Sequence, residues 1–406
     1  MDVLRLNDTS YLPDELVEGY SSMIWTERHT GHGEFQLHTP LIQKTKELIP
    51  EGSLLTLLDS PEIMEVETHS ISVNDDGEQE LKITGRTFDK LFLDRIILGG
   101  NHTQEWPTSQ MYRSNELVSA LIWNAVSNPT GKNPLSKGMG AELLDRIANI
   151  VITDSSALSE DPTMWWVKPG PLQEFLDDVL AISGLGIRTI RPTNVGGAVV
   201  SFDVSDTTNY GKYSKTSHSP VTEVQFNVYQ GADRTRYSST NEPVVFHYAS
   251  GHIDSPEYLF SSKDIKNIAY VTSSIGGVFV HKMDGDFWWT PGTQAPPVNP
   301  SGRARKMLWV DGGSIGSDED FATFINALAQ KGMAELAKHN RQILFDGAIS
   351  PLSPHKYGVH YFLGDTVTLS AEYGFEQDMM VAEYVRTDDE TGDQGFPTLI
   401  LANPEV

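Results

Sequence analysis

A β pattern that occurs twice, once near each end of the chain, constrains the fold more than any other feature. The first copy is EGSLLTLLDSPEIMEVETHSISVNDDGEQELKITG, from Glu51, and the second is LGDTVTLSAEYGFEQDMMVAEYVRTDDETGDQGFPTLI, from Leu363. Each contains a strand, a polar turn, a Met-Glu-Val or Met-Val-Ala-Glu strand, an acidic turn with glycine and a returning strand. The pattern predicts two related small β-barrels with other material between them. The alternative is two unrelated meanders that share turn chemistry.

The first hundred residues predict antiparallel hairpins. In THSISVNDDGEQELKITGR, alternating apolar residues enter through Ile71 and Val73, the pair Asp76-Gly77 forms the turn, and Leu81 begins the return. Acidic residues in the hairpin turns, Asp75 and Asp76 here and Asp388 and Asp389 in the second copy, would face ring neighbours or a channel if the barrels line a lumen. The alternative is ordinary solvated turns.

The segment WTERHTGHGEFQLHTP contains His29, His32 and His38, which raises the question of a metal site. Glycines 31 and 33 disfavour the helix on which an HxxH pair would chelate, and a chain with no cysteine offers no thiolate ligand. We therefore predict a solvated hairpin, with strands over 20–28 and 35–39, and no metal site.

Helical periodicity appears in three places. Met111, Val118 and Leu121 share one face of a predicted helix, and a second runs from about Pro171 to Ser183, with Gly184 as its C-cap. A third is expected from about Asp318 to His339, capped by Ser317 with Asp320 as a weak capping-box partner. The segment DGDFWWTPGTQAPPVNPSGRAR, within 274–306, predicts a long surface loop.

These elements predict an α+β chain dominated by antiparallel β structure. We expect a first tube β-barrel over 1–100, a helical insert over 101–168, a middle α/β region over 169–310 with a long loop at 274–306, and a helix and second tube β-barrel over 311–406.

Composition restricts the possible partners. The 406-residue chain carries 30 Lys and Arg against 55 Asp and Glu, a net charge of −25 that disfavours nucleic acid or anionic membrane along the whole surface. No apolar stretch reaches about 18 residues, so no membrane span is predicted. The acidic start, MDVLRLNDTSYLPDEL, predicts no secretory signal.

One motif points to an enzyme. Residues 312–316 (GGSIG) fit the G-x-S-x-G pattern between a predicted strand and a helix, as in a hydrolase nucleophile elbow. Ser314 would be the nucleophile, and Asp346 with His355 or His360 would complete the order of a triad. The antiparallel hairpins upstream are not the parallel βα units that this fold requires, so we predict a loop and helix N-terminus, with no catalytic residues and no cofactor.

Two tryptophan pairs are candidate interface residues. Trp165 and Trp166 lie at the end of a β segment, and Trp288 and Trp289 lie in the Pro- and Gly-rich segment. Such pairs pack in cores or interfaces, and exposed tryptophans also stack on sugar rings. A cell-wall carbohydrate-binding adhesin therefore stays open as an alternative.

Several stretches together resemble a known family. They are MIWTERHTGHGEFQLHTP, EIMEVETHSISVN with LKITGRTFDKLFLDRIIL, NEPVVFHYASGHIDSPEYLFSSKDIKNIAYV, and FDGAISPLSPHKYGVHYFLGDTVTLSAEYGFEQDMMVAEYV. Their order resembles the siphophage tail-tip proteins, the baseplate-hub or tail-associated-lysin-like minor tail proteins. The likeness spans most of the chain and is weakest around 101–165 and 274–306.

The resemblance implies a structural virion protein of the phage tail tip, assembled in the bacterial host cytoplasm. Such hubs form homotrimers in which two barrels per subunit imitate the sixfold tail tube, which would explain the repeat. Implied partners are the distal tail protein ring, the tape-measure protein C-terminus and downstream minor tail proteins, with DNA only in transit during ejection. Because the chain ends at Val406, soon after the second barrel, we expect no lysin domain.

Overall fold

The computed structural model is mainly antiparallel β structure with a few helices, as the sequence predicts. It describes residues 1–40, 47–73, 79–97, 106–108, 110–128, 133–135, 147–156, 161–167, 169–192, 197–205, 211–218, 222–273, 276–283, 286–294, 297–313, 321–340, 342–350, 353–370, 376–389 and 392–402. None of the described helices is long and apolar enough to cross a membrane.

The N-terminal β unit contains the first copy of the repeat. Its strands are β1 (Val3–Leu6), β2 (Pro13–Val17), β3 (Ser22–Arg28), β4 (Glu34–Pro40), β5 (Leu54–Leu57), β6 (Met64–Val73) and β7 (Gln79–Thr87). They pair in the order β3-β4-β7-β6-β5-β1-β2. Alternation drives this pairing, because every second side chain of β4 and β7 is buried. The core includes Trp25 stacked on Phe35 at 5.8 Å.

The C-terminal β unit contains the second copy. Its strands are β17 (Asp233–Arg234), β18 (Val245–His247), β19 (Ile253–Ser261), β24 (Gln342–Ile349), β25 (Thr366–Ser370), β26 (Glu376–Asp389) and β27 (Gly392–Leu401). They pair in the order β19-β24-β27-β26, and β25 adds to β26 and to β17 and β18. A core of its own, separate from that of the first unit, fills this part of the sheet.

The two units share one local design. A short strand pairs with a long hairpin in each, with Leu55 opposite Met64 in the first and Val367 opposite Met379 in the second. Each hairpin is then interrupted by a bulge, after Val66 in β6 and after Val381 in β26. The matching position of the bulges agrees with a duplicated unit, since a bulge re-aims every residue beyond it.

A single strand joins the two units into one sheet. Residues 376–380 of β26 pair with β25, and residues 383–388 along the same edge pair with β3 of the N-terminal unit. The described residues thus form a continuous 14-stranded sheet. No strand pair among them closes either unit on itself, and barrel closure stays a prediction.

The middle module lies between the units in sequence. After a 3₁₀ helix at Phe88–Asp94, its elements are β8 (Ile96–Ile97), β9 (Trp106–Pro107), α1 (Ser114–Ile122) with a π-helical turn to Ser127, β10 (Ile150–Asp154), β11 (Trp166–Val167), β12 (Gly170–Pro171), α2 (Leu172–Ser183), β13 (Gly186–Ile190), β14 (Gly197–Asp203), β15 (Lys212–His218) and β16 (Val224–Tyr229). Helices α1 and α2 bury their apolar faces in one core with the sheet β13-β16-β10-β14-β15. Gly184 caps α2 at φ 65°, as predicted.

A second insertion, between β19 and β24, forms a four-stranded module. It consists of β20 (Ile268–Ser273), β21 (Gly277–Met283), β22 (Asp286–Pro291), β23 (Met307–Gly313) and α3 (Phe321–Ala337), with strand order β22-β21-β20-β23. The predicted loop over 274–306 is therefore wrong in its first half, because Phe287 alternates with exposed neighbours and packs against the α3 core. The predicted third helix is confirmed over 321–337, and its proposed cap, Ser317, lies outside the described residues.

Candidate assembly surfaces

The internal junction between the β units is formed by β3 and β26. Their antiparallel register runs from Arg28 opposite Glu383 to Met23 opposite Asp388. The Arg28 guanidinium donates from Nε to Glu383 at 2.6 Å and from Nη2 to Glu34 at 2.7 Å. One cation thus holds the hairpin of the first unit against the strand of the second.

A buried carboxylate lies just behind this ion pair. Glu27 is 2% exposed, and its Oε1 accepts hydrogen bonds from Ser60 at 2.6 Å and from the Trp25 indole at 3.2 Å. Its Oε2 accepts from the Tyr357 hydroxyl at 2.7 Å. The donors come from both β units, so this single side chain connects them through neutral hydrogen-bond donors.

The cation that balances Glu27 is Arg386 on β26. Burial works against its charge, but Glu27 and Asp59 outweigh that effect and raise the pKa of Arg386. The guanidinium pairs with Asp59 and lies 5.5 Å from the Tyr357 ring and 5.6 Å from the Tyr384 ring, which are themselves stacked at 3.9 Å. Aromatic faces and carboxylates thus replace the water that the guanidinium loses.

A second buried acid, Glu62, lies at the same place without such support. Burial, and then the charges of Glu27 and Asp89, raise the pKa of Glu62 well above its ordinary value, although Arg188 and Arg386 oppose the shift. Its backbone bridges to Ile190 of the middle module. The cluster formed by Glu27, Glu62 and Arg386 therefore lies where three modules meet.

His29 fills the remaining space at this meeting point. Its Nδ1 lies 2.9 Å from the Tyr229 hydroxyl and its Nε2 lies 3.2 Å from the Gly184 carbonyl, so Nε2 donates and Nδ1 accepts. The ring presses on Gly186 and Gly364, where any Cβ would come within about 2.6 Å of it. Burial lowers the pKa of His29, despite the Gly184 carbonyl, so the side chain packs as a neutral group.

The other two histidines bind separate carboxylates. His32 Nδ1 lies 3.1 Å from Asp89, and His38 Nδ1 lies 3.0 Å from Glu80. Among the described residues, no group of three or more His, Asp or Glu side chains is arranged to hold a metal. The predicted hairpin exists, but it is not solvated as expected, since His29 is 1% exposed where the other modules cover it.

The outer edges of the eight strands β19-β24-β27-β26-β3-β4-β7-β6 differ from the junction at their centre. Beyond the bulge, β6 is open on the side away from β7, and no described strand pairs there; Ile71 is 51% and Val73 is 63% exposed. At the opposite end, β19 is likewise an edge strand, with Leu259 48% and Phe260 52% exposed. Exposed apolar edge strands template pairing with another chain.

The bulges fix which residues of the two hairpins correspond. Val66 and Val381 precede the bulges, and four positions further along the chain stand Ser70 and Val385. Ser70 lies in the open edge of β6, whereas Val385 pairs with Thr26 of β3. Val385, which pairs with another strand inside the chain, therefore corresponds to Ser70, whose outer side pairs with no described strand.

The flanking strands correspond in the same way. In the first unit, Phe35 of β4 pairs with Gly85, which is the hairpin partner of Val66. In the second unit, Phe345 of β24 pairs with Leu399, which is the hairpin partner of Val381. One step further out, Thr26 of β3 corresponds to Leu259 of β19. Each unit thus presents four strands in the same order, β3-β4-β7-β6 and β19-β24-β27-β26.

Comparison with known proteins agrees with this architecture. The family model of the siphovirus ReqiPepy6 Gp37-like proteins matches residues 3–398. The chain belongs to that family. The resemblance to siphophage tail proteins found in the sequence is thereby confirmed. No curated protein matches the sequence.

Two solved structures share the fold of this family member. The tail protein from Neisseria meningitidis MC58 aligns with a TM-score of 0.52 at 11% identity, covering 98% of this chain and 96% of that one. The 43 kDa tail protein of prophage MuSo2 from Shewanella oneidensis aligns with a TM-score of 0.51 at 10% identity, covering 99% and 98%. The α+β, mainly antiparallel fold is therefore one found in phage tail proteins.

The tryptophans predicted as interface residues lie in different surroundings. Trp288 and Trp289 lie on the edge strand β22 and are 55% and 44% exposed. Trp288 points away from α3, on the face that also presents Trp309, which is 67% exposed. Between them, the rings of Tyr270 and Phe279 pack against each other at a tilt, with centroids 4.4 Å apart. Trp165 and Trp166 are 6% and 5% exposed and pack beneath α2 and α3.

The residues of the predicted triad are not brought together by any described contact. Ser314 lies outside the described residues, as do the turn residues Asp75 and Asp76. Asp346 lies in β24. The His355 ring contacts two other histidine rings edge-on, with centroids 5.9 Å from His252 and 6.2 Å from His360. Of the turn acids that are described, Asp388 binds the N-terminal ammonium group and the Tyr20 hydroxyl.

Sequence reasoning missed the charged cluster at the internal junction. One signal was present, because Met23, Trp25 and Glu27 alternate along β3 and so put the carboxylate on the core face. The partners of Glu27 could not be found this way, since Tyr357 and Arg386 lie more than 300 positions away in the chain.

Proposed function

We propose that this protein is a hub subunit of the phage tail tip, which forms a homotrimer that closes the distal end of the tail tube and lines the channel for DNA ejection. One observation carries the proposal. The internal β26–β3 junction joins two matching four-stranded units edge to edge, and the outer edges, β6 and β19, are the edges that would repeat that junction between copies. Three copies joined this way make a ring of six similar units.

The register of the outer junction follows from the internal one. Thr26 pairs with Val385 inside the chain, so Leu259 of one copy would pair with Ser70 of the next. Apolar residues exposed on both edges, including Phe260 and Ile71, would become buried. Virion localisation, assembly in the host cytoplasm, and contacts with the distal tail ring, the tape-measure C-terminus and downstream minor tail proteins belong to the same proposal.

Paired cysteines test this register directly, because the chain has no cysteine of its own. Ser70→Cys with Leu259→Cys should form disulfides between copies, since directly opposite residues of antiparallel strands lie about 4.5–5.5 Å apart. In assembled tails, we expect a denaturing gel without reductant to show a ladder that ends at three chains.

The matched control is Ser70→Cys with Tyr237→Cys, because Tyr237 is 81% exposed and belongs to neither edge strand. That pair should stay monomeric on the gel. A ladder that continues beyond three chains, or the absence of cross-links from assembled tails, would rule out the closed trimer.

The proposed role is structural and not enzymatic. Because Ser314 is the residue on which a hydrolase would depend, labelling by a serine-reactive fluorophosphonate probe is the sharpest check. Labelling of the full chain that disappears in Ser314→Ala would contradict the structural role.

The aromatic face of the four-stranded module supports a second candidate function, contact with cell-wall carbohydrate. Trp309 and Trp288 stand at opposite edges of the sheet with Tyr270 and Phe279 between them, which gives sugar rings a flat surface for stacking. Sedimentation of the protein with purified host cell walls should then depend on Trp309. Equal sedimentation of the wild type and Trp309→Ala would exclude this candidate.

A further inference from the structure

Three half-buried histidine rings lie next to one another on the C-terminal unit. The His355 ring meets those of His252 and His360 edge-on, with interplanar angles of 86° and 77°. His252 immediately precedes β19, whereas His355 and His360 belong to the segment between β24 and β25. In the sequence the latter two are candidates only for a catalytic triad, but the structure groups them with a third histidine.

The turn that carries two of these histidines also reaches the internal junction. Tyr357 in that turn donates from its hydroxyl to Glu27 at 2.7 Å, and its ring stacks on Tyr384 at 3.9 Å. Tyr361, at the end of the turn, is fully buried in the core of the C-terminal unit. The turn over 355–361 therefore connects the histidine rings with a contact that holds the two β units together.

Hydrogen bonding fixes the protonation state that the turn requires. His360 Nδ1 accepts from the Lys356 N–H at 3.0 Å, so the ring is neutral and carries its proton on Nε2. The His360 N–H in turn donates to the Lys356 carbonyl at 2.9 Å, so two bonds join these residues. A second proton on the His360 ring can bind only at Nδ1, where it would displace the Lys356 N–H and break one of the two bonds.

The charges around His355 also favour its neutral form. Burial lowers the pKa of His355, and the charges of His252 and His360 lower it further. The Glu242 carboxylate and the Val245 carbonyl oppose this shift. The other described titratable side chains on these segments are those of His247, Tyr248, Lys356, Tyr357 and Tyr361. Because the unfolded chain takes up this proton first, the contribution of His355 to stability is complete above about pH 6.5 and is lost as pH falls through the pKa of the folded state.

We propose that the three histidines form an acid-sensitive latch, which holds the turn over 355–361 at neutral pH and releases it in mild acid. Positive charge on neighbouring rings would be repulsive, and the His360 ring would no longer accept from the turn. Release of the turn would withdraw Tyr357 from Glu27, so acid would loosen the internal junction. This inference goes beyond the hub proposal, because it concerns a single subunit and would hold for a monomer.

Hydrogen–deuterium exchange of the full chain at pH 7.5 and pH 5.5 tests the latch. Mass spectrometry of peptides covers 353–363, and each rate is divided by the intrinsic rate at the same pH to give a protection factor. We expect protection of 353–363 to fall about tenfold or more at pH 5.5, while that of β7 changes less than about twofold. Equal protection at both pH values, or an equal loss in β7, would overturn the latch.

A double variant, His355→Phe with His360→Asn, assigns the effect to these histidines. Phenylalanine keeps an aromatic ring, asparagine keeps a side-chain acceptor, and neither gains a charge in acid. The variant should match the wild type at pH 7.5 and should lose most of the pH effect. The control, His218→Asn, removes an exposed histidine of β15 and should keep the full effect. A loss of protection that persists in the double variant would overturn the assignment.

The effect on the junction is measured by ¹⁹F NMR of the full chain labelled with 3-fluorotyrosine. The Tyr357 signal is identified by its loss in Tyr357→Phe. In the wild type at pH 5.5, we expect this signal to move towards its position in the urea-unfolded protein, and in the double variant we expect it to stay in place. A Tyr357 signal that stays fixed in the wild type while 353–363 loses protection would overturn the link to the internal junction.

Discussion

The two β units place the same strands around the same bulge, but they differ along one edge of the bulged strand. In the C-terminal unit, residues 383–388 of β26 pair with β3 and are covered. In the N-terminal unit, the corresponding residues 68–73 of β6 pair with β7 on one side, but no described strand pairs with them on the other, and they are largely exposed. One edge is thus complete within the chain, and the other is available to a second chain.

The chemistry of the two edges differs position by position. Arg386 in β26 corresponds to Ile71 in β6, and Glu27 in β3 corresponds to Phe260 in β19, so charges inside the chain are replaced by apolar side chains outside. The internal junction forms once, during folding, and never has to separate. In the proposed trimer, the outer edges are exposed to water until the copies assemble, and apolar residues at those edges leave no charge buried without a partner. The comparison indicates that a junction formed permanently during folding can contain buried charges, whereas an edge that is first exposed to water carries apolar side chains.

The largest expected effect comes from placing a charge on the outer edge. If the proposed ring forms, Ile71→Lys would bury an unpaired ammonium group in each of its junctions, so assembly should require at least about a hundredfold higher protein concentration. Because Ile71 is 51% exposed in the single chain, the stability of the monomer should hardly change. Mass photometry on a concentration series measures this. The control is Leu12→Lys, at an exposed residue that belongs to neither edge strand.

Removing the internal cation should instead lower the stability of the monomer itself. Arg386→Met leaves Glu27 buried without its balancing charge, so we expect the free energy of unfolding to fall by about 3–5 kcal/mol. The matched control is Ile71→Met at the corresponding outer position, which should change it by less than about 0.5 kcal/mol. Urea denaturation of monomeric protein compares them, and similar losses at both positions would contradict the distinction between the edges.

A smaller effect is expected from a single hydroxyl at the internal junction. Tyr357→Phe removes the donor that lies 2.7 Å from Glu27 Oε2 and should lower the unfolding free energy by about 1–3 kcal/mol. The neighbouring Tyr361 hydroxyl is buried and has no hydrogen-bond partner among the described residues, so Tyr361→Phe should be neutral or slightly stabilising. If the two variants lost the same stability, the bond to Glu27 would contribute nothing specific.

Local patterns predicted the hairpins but not how they meet. The alternation in β4 and β7, and the periodicity of α2 with its Gly184 cap, are signals within about a dozen residues, and all were confirmed. The burial of His29 depends on Tyr229 and Gly364, which nothing near it in the sequence can specify. The loop predicted around Trp288 was wrong because its Gly and Pro content outweighed a strand that is stabilised by pairing with β21.

The smallest effect is a dependence on pH that originates from Glu62. Its raised pKa means that the folded state takes up a proton before the unfolded chain does, so this residue's contribution to stability increases as pH falls from that pKa towards the ordinary value of 4.5. The slope can reach at most about 1.4 kcal/mol per pH unit. Glu62→Gln should therefore be more stable than the wild type at pH 8 and should lose part of this slope.

Glu67→Gln is the matched control of opposite sign, because hydrogen bonds from Arg86 and Lys90 lower the pKa of Glu67 to about 2 and its carboxylate is stabilising at pH 8. Urea denaturation at pH 5 and pH 8 separates the two, and a Glu62→Gln variant less stable than the wild type at pH 8 would show that Glu62 is held as a charged partner of Arg386.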